Sequence, residues 1–165
     1  MALTDALLPE FDHEMATTRK LLERLPEARL GWKPHDRSMT LGRLATHLAE
    51  IPQWSRHIIC EDEIDLKGAY QPNEQRSVAA ILALFDASVA ESRKAMAGKS
   101  DAELMATWTF KVQGKTMFTM PRVAVMRSML FNHMVHHRGQ LSVYLRLNDV
   151  PLPAIYGPSA DEGGL

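Results

Sequence analysis

Two histidines lie four residues apart in a segment whose pattern predicts a helix. His133 and His137 belong to the run His-Met-Val-His-His-Arg-Gly-Gln. Residues at this spacing stack on one helix face with Cβ atoms about 5–6 Å apart, so both imidazoles can bind one metal ion. The alternative is a pair of core histidines, each hydrogen-bonded to a carbonyl. Further members of this face, which we expect to point inward, are Met126, Met129, Gln140 and Tyr144.

A third histidine lies on the apolar side of an earlier predicted helix. His47 follows Leu44 by three residues and precedes Leu48 by one. Three buried imidazoles without partners would cost roughly 1–3 kcal/mol each, a cost that a shared cation removes. Three imidazoles without a carboxylate ligand favour Zn²⁺ or Ni²⁺ over Mg²⁺ or Ca²⁺. Three protein ligands also leave a coordination position open, as in catalytic zinc sites.

Four predicted helices position these residues. In each, apolar side chains recur at steps of three and four. The first helix carries Pro9 in its first turn and ends before Pro26. The second begins at Ser38 as N-cap and kinks or breaks at Pro52. The predicted segments are a first helix over 8–25, a second from 38 onward, a loop over 61–75, a third helix over 77–97 and a fourth over 121–147.

Between Thr107 and Met120 the period of the pattern changes to two. Apolar and polar residues alternate on both sides of Gln113-Gly114, which predicts a short β-hairpin. Two strands alone are marginal in water, so the hairpin must pack on the helices. Residues 148–165 are predicted to form an irregular tail. The expected fold is therefore all-α, a four-helix bundle with a short β-hairpin before the last helix.

Length, charge and cysteine content limit the class of protein. A chain of 165 residues suits a single domain over 1–165. A net charge of −1 argues against nucleic-acid binding, and the longest apolar run, Val78 to Phe85, is too short to span a membrane. We see no signal-peptide pattern, and Cys60 is the only cysteine. Both observations favour the cytoplasm.

Three sequence blocks resemble the DinB family, also described as DinB/YfiT-like metal-dependent hydrolases. They are residues 39–54, the run from His133 to Gln140 and the tail from Pro151 to Asp161. The resemblance covers nearly the whole chain. It implies a four-helix bundle, a homodimer, and nickel or zinc bound by His47, His133 and His137. Relatives in the wider superfamily include transferases and isomerases that use low-molecular-weight thiols.

Residues near the predicted ligands are candidates for supporting roles. Glu50, one turn beyond His47, is the candidate catalytic residue, as a general base or as a partner that orients an imidazole. The alternative is a solvated carboxylate. Gln140 follows His137 by three residues, and we expect it to hydrogen-bond a bound water.

Other polar and aromatic residues are assigned to the rim or the scaffold. We expect Arg138 to pair with a neighbouring helix, His136 to face outward and Glu14 to face water. Trp54 and Tyr144 are expected near the metal, where the alternative for both is ordinary core packing. The histidines that we do not expect to be ligands are His13, His35 and His57.

The function that these residues favour is a metal-dependent enzyme acting on a small molecule through the open coordination position. With water as nucleophile it is a hydrolase, and with a thiol cofactor it is a transferase. The sequence leaves this choice open. A non-catalytic metal-binding stress-response protein is equally compatible with the three histidines. A bundle without a metal is the remaining alternative.

Overall fold

The computed structural model describes residues 2–69 and 71–163, which are mostly helical with a small three-stranded sheet. A helical protein was predicted, but the sheet has one strand more than the hairpin. The helices are α1 (Leu3–Leu22), α2 (Leu41–Glu50), α3 (Trp54–Cys60), α4 (Val78–Met96), α5 (Asp101–Met105), α6 (Arg122–Met126) and α7 (His133–Arg146), and the strands are β1 (Glu63–Leu66), β2 (Thr107–Val112) and β3 (Lys115–Pro121).

The hydrophobic core lies between the longer helices. α1 packs against α4 and α7, and α2 packs against the same two helices. The side chains of Phe11, Leu48, Phe85 and Leu141, one from each helix, are almost fully buried. Trp108 of β2 joins this core with no solvent exposure, so the sheet is packed on the helices as the hairpin's marginal stability requires.

The first helix begins earlier than predicted. α1 starts at Leu3, and Pro9 lies inside it rather than in its first turn. Pro9 lacks the N–H that would pair with the Asp5 carbonyl, and both residues are exposed, so water is available to that carbonyl. The Asp5 carboxylate accepts a hydrogen bond of 2.8 Å from the Ala2 backbone N–H at the helix start.

The second helical segment is capped by a different residue and is interrupted where predicted. Thr40, not Ser38, is the N-cap of α2, and its hydroxyl accepts from the Arg43 backbone N–H. A single 3₁₀ turn over Ile51–Gln53 then separates α2 from α3, which confirms the break at Pro52.

The third helix agrees with its prediction. Ser77 caps α4 by accepting from the Ala80 N–H, and Gly98 follows its end with φ +73°. The short helix α5 that comes next was not predicted. Its N-cap Ser100 and Glu103 form a capping box.

The segment predicted as a loop contains a strand. β1 pairs in parallel with β2, and Ile64 lies opposite Phe110. β2 and β3 pair antiparallel through a turn whose residues Gln113 and Gly114 have φ of 51° and 79°. Both values are those of a type I′ turn, which confirms the predicted position of the chain reversal.

A buried arginine holds the end of α3 beside β1. Arg122 donates hydrogen bonds to the backbone carbonyls of Ile58 and Glu61.

The last helical segment contains a π-helical turn. This turn, Arg127–Asn132, joins α6 to α7. Residues 150–163 follow without helix or strand, as predicted for the tail. Within residues 2–69 and 71–163, no helix is both long and apolar enough to cross a membrane.

Candidate metal centre

Two neighbouring helices supply the three histidines. His47 lies in the last turn of α2, and α2 packs against α7. His133 is the first residue of α7 after the π-helical turn, and His137 follows one turn later. π-Helical turns are rare and occur frequently at functional sites, because they change the direction of the side chains that follow.

The Nε2 atoms of the three rings converge. The Nε2 atom of His133 is 3.2 Å from that of His47 and 2.9 Å from that of His137. All three ligand atoms lie within 4.8 Å of one another. Zn–N bonds of about 2.0–2.1 Å in a tetrahedral site require N–N separations of roughly 3.3 Å. The three histidines could therefore hold a metal ion with only small shifts.

Hydrogen bonds at the far side of the rings support this use of Nε2. The Nδ1 atom of His137 lies 2.7 Å from Oε1 of Gln140, an acceptor, so Nδ1 carries the ring proton and Nε2 keeps its lone pair. The ring of His133 is also hydrogen-bonded to the Met129 backbone, in the π-helical turn. The Nε2 atoms of His137 and His133 face one another at 2.9 Å, so a shared cation would lie between them.

Burial keeps the three imidazoles uncharged at neutral pH. Desolvation, followed by repulsion from His137, His133 and Arg43, lowers the pKa of His47 to about 4. Desolvation is also the largest cause that lowers the pKa of His133 and of His137, while their bonds to Met129 and Gln140 act in the opposite direction. Neutral imidazole is the form that ligates metals.

A cavity of about 360 Å³ adjoins the histidines. Its volume is within the about 300–1,000 Å³ of small-molecule sites. His47 and His133 line the cavity, so a ligand inside it would reach two of the three rings. The other lining residues are Glu50, Gln53, Trp54, His57, Ile64, Leu66, Gln71 and Met129.

Glu50 shares this cavity with His47 and His133. Its Oε2 atom accepts from the Arg43 guanidinium at 3.2 Å, and its side chain is about one-fifth exposed, at 22%. The carboxylate is therefore held in place beside the histidines. The hydrogen bond observed at Glu50 goes to Arg43 and not to an imidazole. Instead, Gln140, which we expected to bind water, orients His137.

Arg138 of α7, the residue after His137, forms a buried ion pair with Glu14 of α1. The Arg138 side chain is 1% exposed, and its Nη2 is 2.6 Å from Glu14 Oε2 on α1. The Tyr156 hydroxyl from the tail donates to the same carboxylate and accepts from Arg138. The predicted pairing of Arg138 with a neighbouring helix is confirmed, but Glu14 is buried rather than solvated because this cation requires it.

The remaining predicted residues divide between the cavity and the scaffold. Trp54 lines the cavity as expected. Tyr144 does not; it packs edge-on against Trp32 with ring centroids 5.6 Å apart. His136 is exposed as predicted. His57 also lines the cavity and shares a hydrogen bond with Glu61, a location that sequence spacing across the break at Pro52 did not reveal.

This fold and this cluster define a mostly helical protein with a three-histidine group suited to a metal ion. The chain belongs to the DinB family, whose model matches residues 1–163. It is 29% identical over 163 residues to the uncharacterized protein YrdA of Bacillus subtilis strain 168, covering 96% of this chain and 90% of YrdA.

Two crystal structures of DinB-like proteins share the fold. One is from Bacillus cereus ATCC 10987, with a TM-score of 0.69 and 21% identity, covering 90% of this chain and 95% of that one. The other is YjoA of Bacillus subtilis, with a TM-score of 0.66 and 16% identity, covering 88% and 94%. At these identities the likeness concerns the fold alone.

Proposed function

We propose that this protein is a divalent-metal-dependent hydrolase acting on a small molecule. One observation carries the proposal: three Nε2 atoms from two helices converge beside a cavity that a small molecule could enter. Three protein ligands leave a coordination position open, which is the arrangement of catalytic rather than structural zinc sites.

His47, His133 and His137 would hold zinc or nickel, since the donor set consists of neutral imidazoles. When bound, such an ion supplies Lewis acidity and lowers the pKa of a water in the open position toward neutrality. Gln140 orients His137 by accepting its Nδ1 proton, and the Met129 backbone is bonded to the ring of His133. The contact with Gln140 leaves the Nε2 lone pair of His137 free to bind the ion, and both contacts hold the rings in orientation.

Glu50 would accept and return a proton. In ester or amide hydrolysis the water oxygen bonds to the acyl carbon while one of its protons passes to a Glu50 carboxylate oxygen. The bond from the acyl carbon to the leaving oxygen or nitrogen then breaks, and that proton passes to the leaving group. Arg43 fixes the carboxylate through its contact with Oε2, so the proton acceptor has a defined position in the cavity.

Metal analysis and turnover assays test this function together. We expect untagged protein to bind about one equivalent of zinc or nickel, and the metal-loaded form to hydrolyse at least one member of a panel of esters and amides. His133→Gln should lose both properties. His136→Gln is the matched control, because that histidine is on the same helix but exposed.

Three outcomes would contradict the proposal. Absence of metal binding on titration would remove its basis. Bound metal without turnover above that of metal-free protein would favour a non-catalytic role. Transfer between thiol and acceptor pairs without hydrolysis would favour the thiol-dependent transferase instead.

The role of Glu50 is tested by one substitution. Glu50→Gln should keep the metal and lose roughly 10²–10⁴-fold in turnover, the range of a general base.

A further inference from the structure

Resting on the proposed function, we propose that His57 binds a hydroxyl or N–H group of the substrate, at the end of the cavity away from His47 and His133. The substrate class is then an ester or amide that carries such a hydrogen-bond donor about two helical turns from its scissile bond, with an apolar stretch between the two groups. His57 is a specificity-determining residue in this arrangement, and Glu61, which orients its ring, is a positioning residue.

One wall of the cavity is a stripe of side chains along α2 and α3. His47, Glu50, Trp54 and His57 follow one another at steps of three and four residues through the 3₁₀ turn Ile51–Gln53, and all four line the cavity. Residues at such steps share one helix face. His57 lies two turns beyond Glu50, which corresponds to roughly 10–12 Å along the helical segment. The cavity is therefore elongated, with His47 and His57 at opposite ends of the stripe.

The His57 ring is held by the protein on one side only. Its Nδ1 atom lies 2.9 Å from Oε1 of Glu61, one turn further along the chain. A carboxylate accepts hydrogen bonds and does not donate them, so in the neutral ring Nδ1 carries the proton and Nε2 keeps its lone pair. Within residues 2–69 and 71–163, the hydrogen bond of this ring is the one at Nδ1. Nε2 is therefore available to accept a hydrogen bond from a ligand in the cavity.

Glu61 can orient His57 because its own backbone is anchored. It follows α3 as the C-cap residue, and its backbone N–H donates to the His57 carbonyl at 3.2 Å. Its carbonyl accepts from the buried guanidinium of Arg122 at 2.6 Å. The carboxylate thus extends from a fixed point at the end of the helix. An acceptor whose ring is oriented before the ligand arrives loses less conformational entropy on binding.

Apolar side chains line the cavity alongside these polar groups. Trp54 lies between Glu50 and His57 in the stripe, and its ring is 6.4 Å from the His57 ring between centroids. Ile64 of β1 and Met129 of the π-helical turn add apolar wall from two other elements. A few placed polar groups among apolar walls are the usual composition of a small-molecule site. This wall suits a molecule whose two polar ends are joined by an apolar linker.

Two amides that differ in one group test the inference. In para-hydroxyphenylpropanamide the ring carries a hydroxyl, and in para-methylphenylpropanamide a methyl group of similar size takes its place. Titrations of the full chain, metal-free and zinc-loaded, give both dissociation constants. We expect the hydroxyl compound to bind about three- to tenfold more tightly, the range of one neutral hydrogen bond. In NMR spectra recorded in mildly alkaline buffer, the His57 ring should carry its proton on Nδ1, and the hydroxyl compound should shift the Nε2 signal.

Substitutions at both residues locate the effect. His57→Phe keeps a ring without an acceptor and should reduce the preference for the hydroxyl compound to less than about twofold. His57→Gln keeps an acceptor near the position of Nε2 and should restore part of the preference. Glu61→Leu leaves the ring proton of His57 unfixed, so the preference should fall here too. His13→Phe is the matched control, because His13 is exposed on α1 and does not line the cavity.

The outcomes separate the role of His57 from the proposed function. A preference of less than about twofold in the unchanged protein would overturn this role, as would an undiminished preference in His57→Phe or no detectable binding of the hydroxyl compound. A proton on Nε2 of His57 would also overturn it. Zinc binding and hydrolysis are measured separately. Absence of zinc binding defeats the proposed metal-dependent function, whereas zinc binding and hydrolysis without a preference for the hydroxyl compound defeat only the role of His57.

Discussion

At the scale of single residues, the geometry of the candidate metal centre depends on the atoms behind each imidazole. His137 is held by the Gln140 side chain, and His133 is bonded to the Met129 backbone. A side-chain partner can be removed by substitution while a backbone partner cannot. Gln140 is therefore the residue through which the contribution of ring orientation can be measured.

Gln140→Leu should lower zinc affinity by about 10–100-fold, because His137 loses the acceptor that fixes its Nδ1 proton. Competition with a chromophoric chelator measures this change. Gln140→Glu keeps an acceptor at the same position and should restore most of the affinity. An affinity for the leucine variant within about twofold of the original would contradict the orienting role.

The buried ion pair makes a prediction about stability. Glu14→Gln leaves the Arg138 guanidinium buried without its counter-charge, and breaking such a pair costs about 3–5 kcal/mol in the free energy of unfolding. Urea unfolding measures this decrease in the free energy of unfolding. Glu10→Gln on the same helix removes an exposed pair with Arg127 and should cost less than about 1 kcal/mol. Equal costs for both variants would contradict this account.

At the scale of elements, a strand and a helical turn shape the cavity. β1 contributes Ile64 and Leu66 to its wall, and the π-helical turn contributes Met129 directly before His133. Alternation predicted the hairpin, because β2 and β3 are adjacent in the chain. β1 has only two apolar residues in four. Its partner β2 is distant in the sequence, because α4 and α5 lie between the two strands. Its short pattern is therefore too weak to predict a strand.

Replacement of either of two glycines by alanine should change the free energy of unfolding, in one case downward and in the other upward. Gly114 has φ +79° in the hairpin turn, so Gly114→Ala should lower the free energy of unfolding by about 1–2 kcal/mol. Gly139 is helical, and a Cβ there would meet open space, so Gly139→Ala should raise it by about 0.5–1 kcal/mol. Denaturant titration of both variants checks this prediction. Changes of the same sign would contradict it.

At the scale of the whole molecule, metal binding should stabilise the fold, because the three ligands come from two helices that separate on unfolding. With free zinc at about 100 times its dissociation constant, we expect a gain of roughly 2.7 kcal/mol, seen as a rise in the melting temperature. Chelation should reverse it. His133→Gln should show little rise with zinc, and a rise equal to that of the original protein would place the metal elsewhere.

The homodimer that the family resemblance implies stays a prediction. Light scattering should give a mass twice the 18.6 kDa of one chain. The ten methionines would supply adaptable apolar contacts at such an interface, although Met15, Met96, Met126 and Met134 are already buried in the core of one chain. A mass equal to one chain at all concentrations would contradict the dimer.

Much of the fold follows from patterns that act over a few residues. Apolar spacing and end signals such as Ser77 and Gly98 predicted α4 closely, since helix formation depends on neighbours within a few positions. The spacing of His133 and His137 likewise determined that they share a helix face. The family resemblance and the position of His47 on the apolar side of its helix added the third predicted ligand, and the structure brings all three histidines together.

Tertiary structure alone decided which distant residues meet. Glu14 and Arg138 are 124 positions apart, and only packing of α1 against α7 buries them together. The same holds for β1 beside β2 and for His57 in the cavity. The local pattern of apolar and polar residues indicates whether a side chain is exposed to water or buried in the interior. The partner that a buried charge or an unpaired strand edge finds depends on how the elements pack, which no local pattern contains.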